Sequence, residues 1–413
     1  MVIDLTLERM VHGGNALAHL KDGRIALIRG GIPSEIVKAE VIEKSGLVQG
    51  NVIEVLEASP DRIETPKHPG LDYGFVKYER QLELKREVVQ DSLTRSLKRE
   101  IDIPSVKAAP KIWHYRHTIQ PVVIKQETLA LGYREEGTHD AVALHNDPTA
   151  HQAINQLWET WPSLNAPKGI HEIVLRSNDE GDILLSFIAK ASAKNYIGFS
   201  HHLVQEGVVG VSYAPFDERG RFRAGSEKLA GEKTILQSYG RYTISVSSTN
   251  FAQPNPSAAT QLYKALEKLA PAGKLALDVY AGSGIIGMYL SEKFEHVLAL
   301  EIDRGSITRG EQDIARLGIK NLEFIKADAK YLDIPDDADL ITVDPPRAGL
   351  NKEVRQTISD SKVKRLIYVS CDVATWTRDV AEFEKSGWEL THLEPFDFYP
   401  HTHHIEMLSK LER

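Results

Sequence analysis

One cysteine stands in 413 residues, and that scarcity excludes several chemistries. A single thiol makes no internal disulfide, completes no cysteine-ligated zinc finger and holds no iron–sulfur cluster, each of which needs several sulfurs. Long apolar runs are missing too. No stretch of about 18 apolar residues, the minimum for a membrane-crossing helix, occurs in the chain. The opening Met1-Val2-Ile3-Asp4 places an acid too early for a secretory signal peptide. No internal repeat or low-complexity tract is present. A cytoplasmic, membrane-free protein is expected, and the length predicts two or three domains with ample core. The net charge of −8 argues against a surface that coats phosphate everywhere, but says nothing of local faces.

What is there divides into three textures. Residues 1–59 alternate short apolar stretches with glycines, as in "ALIRGGIPSEIVKAEVIE" and "VQGNVIEVLEASPDR", which predicts a small β-barrel of oligonucleotide-binding or SH3-like type. Residues 60–250 read as an α+β region. It opens with a helix over 78–99 carrying Leu82, Val89 and Leu93 on one side, and continues with strands in "EIVLRSN", "DILLSFIAK" and "YTISVSS". Between Lys77 and Lys125, eleven Lys/Arg face six Asp/Glu, a local excess that suits either a solvated helix face or phosphate contact. Residues 251–413 alternate helix and strand, beginning with a helix at Gln261–Leu269, and predict a doubly wound parallel sheet.

Within that last region, "LDVYAGSGIIGMYL" is a buried strand ending at Asp278, a turn carrying Gly282, Gly284 and Gly287, and a helix. Gly-rich turns at a strand's carboxyl end let the backbone approach a ligand closely. The glycine spacing matches a dinucleotide fingerprint, but Asp278 before the turn would repel a pyrophosphate. Glu301, ending the next strand, is placed to accept both hydroxyls of a ribose. These acids favour S-adenosylmethionine, with Asp328 after the third strand placed for the adenine amino group. Asp344 ends the fourth strand in "DLITVDPPRAGL", where two prolines stiffen the loop and remove donors. The fifth strand, "RLIYVS", brings Cys371 to the same sheet edge, as buried filler or as a nucleophile.

The motifs decide between these. Phe251-Ala252-Gln253-Pro254-Asn255, Asp344-Pro345-Pro346-Arg347, Ser370-Cys371-Asp372 with Ala374-Thr375 and Arg378-Asp379, and "HTHHIE" ending at Glu406 stand in order. With them the chain resembles the RNA uridine-5-methyltransferase family over nearly its whole length. The opening is similar to a TRAM domain in "ALIRGGIPSE" and "SPDR". Asp372 and Val373 depart from the family's usual Asn-Pro, a change to the loop that leaves the thiol in place.

The resemblance implies a TRAM-type barrel, a central α+β RNA-binding domain and a Rossmann-like class I methyltransferase domain. It implies Cys371 as the nucleophile at carbon 6 of a uracil and Glu406 as the base at carbon 5. It adds Gln253 and Tyr280 to Asp278, Gly282, Gly284, Glu301, Asp328 and Asp344 as cofactor residues, and Arg347, His404 and Arg116 as substrate contacts. Arg347 is also the expected source of positive potential for the thiolate. The substrate is a flipped uridine in structured RNA, ribosomal RNA ahead of transfer RNA, and the protein is a monomer. Many relatives hold an iron–sulfur cluster with cysteines just after the barrel; "HPGLDYGFVKYERQLELK" here has none, so no cluster is expected. His401, His403 and His404 invite a metal reading. In an extended segment at most two would converge, and orienting Glu406 is the expected role. The rivals are an RNA 5-methylcytidine enzyme, whose relatives generally use two cysteines, and a non-catalytic RNA-binding or chaperone protein.

Overall fold

In a computed structural model the described residues are 1–44, 46–65, 68–125, 129–135, 138, 140–218 and 225–413. They form two compact units, Met1–Ala109 with Lys330–Arg413, and Pro110–Ala329.

The first unit opens with six strands, Val2–Thr6, Arg9–Val11, Asn15–His19, Ile25–Arg29, Ile36–Lys44 and Leu47–Glu57, in the spatial order first, fifth, sixth, fourth, third, second. All neighbours are antiparallel except Ile25–Arg29 against Leu47–Glu57. Alternate residues converge on one core, among them Leu5, Met10, Ala16, Ile28, Val37 and Val48, as period-two patterning requires. Glu35, fully buried, accepts from Arg62 Nε at 2.6 Å and Nη2 at 2.7 Å, and from the amides of Ile32 and Ser59. This bidentate pair fastens "GGIPSE" to "SPDR".

The helix Tyr78–Leu97 follows, burying Gln81, Leu84, Lys85, Val88, Val89 and Leu93. Leu82, expected on the inner face, is only half-buried. Leu84 and Val88 take the core positions instead, joining the core of the N-terminal strands together with Tyr73 and Val76. The basic excess around this helix is largely neutralised. Lys77 pairs with Asp61, Arg80 with Glu83 and Glu87, Arg86 with Asp102, Arg95 with Asp91, Arg99 with Glu384 and Lys107 with Glu394.

Four further strands of this unit lie in the order Leu340–Val343, Arg365–Ser370, Glu406–Glu412, Glu389–Phe396. The first pair is parallel, as predicted, but Glu406–Glu412 runs antiparallel to both its neighbours. The expectation of a wholly parallel sheet is corrected here. Glu406–Glu412 returns from Glu389–Phe396 without a crossover helix, and a short connection between paired strands requires opposite directions.

The second unit holds an eight-stranded mixed sheet between Thr118 and Gly231. Its core includes Trp158, Trp161, Leu185, Phe187 and Tyr196. A hairpin, Ile235–Tyr239 with Tyr242–Val246, precedes the helix Pro256–Leu269. That helix starts earlier than the predicted Gln261. Asn255 accepts from the Ala258 amide at 3.2 Å and Pro256 occupies the first turn, the position where proline's missing N–H costs nothing. The parallel strands Gly273–Val279, Phe294–Glu301 and Leu322–Lys326 are adjacent in that order, with helices Ile285–Leu290 and Arg304–Leu317 between them in sequence. Among the described residues no helix is long and apolar enough to cross a membrane.

Candidate active site

The antiparallel entry of Glu406–Glu412 determines what meets Cys371. The ladder pairs Arg365 with Glu412 and ends at Ser370 against Met407. One residue further on, Cys371 leaves its strand and Glu406 begins its own, so the thiol and the carboxyl come to the same end of the sheet. Asp344 follows Leu340–Val343 at that end, and the loop after it carries Arg347. Arg347 Nη2 lies 3.4 Å from His404 Nε2. The structure thus brings together Cys371, Glu406, Asp344, Arg347 and His404.

The electrostatics of the pair run against ionisation. The half-buried Cys371 thiol is pushed up to about 12, first by burial, then by Glu406 and Asp344; Arg347 pulls it down and Asp372 adds to the rise. Glu406, 2% exposed, is held well above the usual carboxylate range by burial and then by Asp344, again with Arg347 opposing. The expected cation is in place, but burial and two carboxyls outweigh it. In the RNA-free protein these surroundings favour the protonated form of both groups. Glu406 Oε2 is also buried without a hydrogen-bond partner among the described residues, an arrangement uncommon in a packed interior.

A stability difference follows. A carboxyl that keeps its proton in the fold contributes stability below its ordinary value of 4.5. That contribution is lost as pH rises toward the raised value, because only the unfolded chain releases the proton. Glu406→Gln has no titrating group there, so its Tm relative to the parent is expected to rise as pH climbs from about 5 toward the raised value. A difference that stays constant over that range would mean Glu406 is ionised in the fold.

The turn before Glu406 is not the extended segment that the sequence predicted. Residues 399–403 form a turn, with His401 at φ +67°, and side chains from residues 72–85 bend it. Gln81 donates to Val76 O and to His401 Nδ1 at 3.0 Å, and its carbonyl accepts from the His401 amide at 2.8 Å. Lys85 Nζ donates to Asp397 Oδ1 at 2.6 Å and to Tyr399 O at 3.1 Å. Asp72 accepts from the His403 amide at 3.1 Å and from its ring Nδ1. The three histidines have separate employments. His401 is held by Gln81 and His403 by Asp72, while His404 packs on His403 with ring centroids 4.1 Å apart. Sequence reasoning missed Asp72, Gln81 and Lys85. Lys85 reads as one more surface cation, and only the polar pair at i and i+4 on an otherwise apolar helix face hints at a buried anchor.

Asp372 caps the helix Val373–Lys385, Oδ1 accepting from the Thr375 amide at 2.8 Å. This fills the place of the family's asparagine. Val373 takes the first helical position, where proline is the usual residue.

The remaining predicted residues lie in the second unit. Gly282 and Gly284 adopt φ +56° and +79°, and a side chain at Gly284 would strike the Phe324 ring. Asp278 is buried and accepts from the Gly287 amide at 2.9 Å, so it fastens the turn from beneath. Glu301 accepts from the Gly282 amide at 2.8 Å and from the amides of Ile302 and Asp303, both at 2.7 Å. A carboxylate has about four acceptor sites, which leaves room for a ribose hydroxyl. Ser283 Oγ is buried without a partner among the described residues, and it marks the Gly-rich turn as a place that a polar ligand completes. Tyr280, at φ +65°, starts the turn; Gln253 O accepts from Tyr239 OH at 3.0 Å; Asp328 is exposed just beyond Leu322–Lys326. These features fit S-adenosylmethionine. Arg116 lies in this unit as well, its backbone bonded to Thr149 and His151.

Comparison with known proteins agrees. The family model for tRNA (uracil-5-)-methyltransferase matches residues 233–337 and 332–413. An uncharacterised RNA methyltransferase of Halalkalibacterium halodurans is 29% identical over 100% of this chain and 97% of its own. Another, of Fusobacterium nucleatum, is 27% identical over 100% and 96%. The crystal structure of the Pyrococcus abyssi tRNA (uracil-54, C5)-methyltransferase with S-adenosyl-L-homocysteine superposes with a TM-score of 0.80 at 21% identity, covering 98% of this chain and all of that one. That likeness establishes a mixed α/β fold of class I methyltransferase type. The chain thus matches the tRNA (uracil-5-)-methyltransferase family model over residues 233–413 and is similar to RNA methyltransferases over its whole length.

Proposed function

We propose that the protein methylates carbon 5 of a uridine in structured RNA through a covalent adduct at Cys371. S-adenosylmethionine, when bound, supplies the electrophilic methyl group. Carbon 5 of uracil is a poor nucleophile. Cys371 gives up its proton to solvent and adds as the thiolate to carbon 6, and the electrons of the 5,6 double bond shift to form an enolate that is nucleophilic at carbon 5. Once methylated, carbon 5 still carries its proton. Glu406 removes it, the electrons re-form the double bond, and the sulfur leaves carbon 6. The supporting observation is the arrival of Glu406 beside Cys371 at one sheet end, buried, its Oε2 without a hydrogen-bond partner among the described residues. Arg347 is assigned the task of lowering both groups toward ionisation, and together with His404 of contacting the base.

Gln253, Asp278, Tyr280, Gly282, Gly284, Glu301, Asp328 and Asp344 are assigned to the cofactor, Asp278 from beneath the turn. Residues 251–413 form the methyltransferase domain in this reading. Residues 1–59, as a TRAM-type barrel, and 60–250, with Arg116, hold flanking RNA; each of these two regions includes residues outside the described set. Ribosomal RNA is the proposed substrate, from the likeness of the opening strands to a TRAM domain. Transfer RNA is the second reading, favoured by the names of the matching family model and of the Pyrococcus relative. Mass mapping of 5-methyluridine in ribosomal and transfer RNA, with and without the gene, tests both. Loss of one 5-methyluridine is expected. Loss of a 5-methylcytidine, or of no methylated base, would sink the proposal.

A further inference from the structure

We infer that His12, on a hairpin of the N-terminal sheet, is a positioning residue for the nucleophile, and that this hairpin walls the pocket for the target base. The inference rests on the covalent reading above and concerns the same site. The hairpin turn at His12, Gly13 and Gly14 links the strands Arg9–Val11 and Asn15–His19. It touches the site at two independent points. His12 Nε2 lies 3.3 Å from Asp372 Oδ2, on the residue directly after Cys371. Gly14, at φ +76°, lies so close to Asp72 and His403 that a side chain there would collide with the carboxylate and the ring. Gly13 has φ +89°, and two left-handed glycines in succession are what let the turn approach so closely.

Val11, His12 and Gly13 line one pocket with Arg347, Cys371 and His404, and its volume is about 170 Å³. A cavity of roughly 150 Å³ admits benzene, so a pyrimidine ring fits a space of this size. The site is thus closed by chain from both ends of the sequence.

Asp372 is the node. Its Oδ1 caps the helix Val373–Lys385 through the Thr375 amide, and Thr375 Oγ1 reaches Arg347 O at 3.0 Å. Its Oδ2 faces His12. Cys371 therefore sits between Ser370, paired in the sheet, and a residue held on both carboxylate oxygens. The His12 and Asp372 side chains are 40% and 21% exposed. A contact that open adds little to stability, so its weight falls on geometry.

The test compares His12→Ala and His12→Gln with the parent, at saturating RNA, by the single-turnover rate of adduct formation at Cys371, and separately by RNA affinity. A misplacement of about 1 Å costs up to about 10²-fold in rate. His12→Ala is expected to slow adduct formation by about 10-fold to 10²-fold with RNA affinity unchanged. His12→Gln, whose amide offers a donor at the reach of Nε2, is expected to restore most of the rate. An unchanged rate in His12→Ala, a defect confined to RNA affinity, or a His12→Gln variant as slow as His12→Ala would overturn the assignment. If the parent forms no adduct, the covalent reading itself falls and the inference with it. A parent that forms adduct beside a His12→Ala variant that forms it equally fast would remove His12 alone.

Discussion

Glu406→Gln protein, given RNA and S-adenosylmethionine, is expected to accumulate as a methylated RNA adduct linked through Cys371, whereas Cys371→Ala yields neither adduct nor product. In the proposed mechanism the two residues act at different stages. Cys371 creates the nucleophilic carbon 5, so without it no methyl is transferred. Glu406 acts only after transfer, and loss of a general base costs on the order of 10²–10⁴-fold in the step it serves. The adduct survives a denaturing gel, and label from the methyl group of S-adenosylmethionine should appear in the shifted band. Because the chain has a single cysteine, the attachment site is unambiguous. The state of the free protein sharpens the expectation. Burial and Asp344 favour the protonated Glu406 there, and glutamine mimics that neutral form, so addition to carbon 6 should be undisturbed. If Glu406→Gln behaves like Cys371→Ala, with no band and no label, Glu406 is not the carbon-5 base, and His404 becomes the next candidate.

The second large effect belongs to Lys85. Its ammonium and the Asp397 carboxylate are both 0% exposed and 2.6 Å apart. Lys85→Met leaves Asp397 buried without its cation, and breaking such a pair from one side costs about 3–5 kcal/mol. Lys85→Met/Asp397→Leu removes both charges and should recover most of that loss. The midpoint of urea unfolding measures each. A single variant within about 1 kcal/mol of the parent would mean that water or a neighbour replaces the pair. Lys85 also holds Tyr399 O, at the start of the turn that delivers Glu406. A destabilised but folded Lys85→Met protein is therefore expected to form adduct and to release it slowly.

The parts of the site that sequence made legible are those whose chemistry is local. Cys371 ends an apolar run, Asp344 precedes two prolines, and Glu406 closes "HTHHIE"; each is recognisable within a few neighbours. Gly282 and Gly284 announce their turn in the same way. Residues whose role depends on a distant partner were hidden. Lys85 stands in a basic stretch and meets its acid 312 positions later. His12 lies in a turn of small residues near the start of the chain and meets Asp372 near the end. Asp72 falls where related enzymes carry cluster cysteines, yet nothing around it tells that it grips His403. Strand direction was equally opaque, because side chains alternate along a strand in the same way whichever direction it runs.

That direction has a consequence for how the protein is made. Glu406–Glu412 inserts between Arg365–Ser370 and Glu389–Phe396, both of which leave the ribosome before it. Until it arrives, each presents an unpaired edge, the kind of surface on which strands of other chains add. The nascent protein must keep those edges apart and unoccupied for their own late partner.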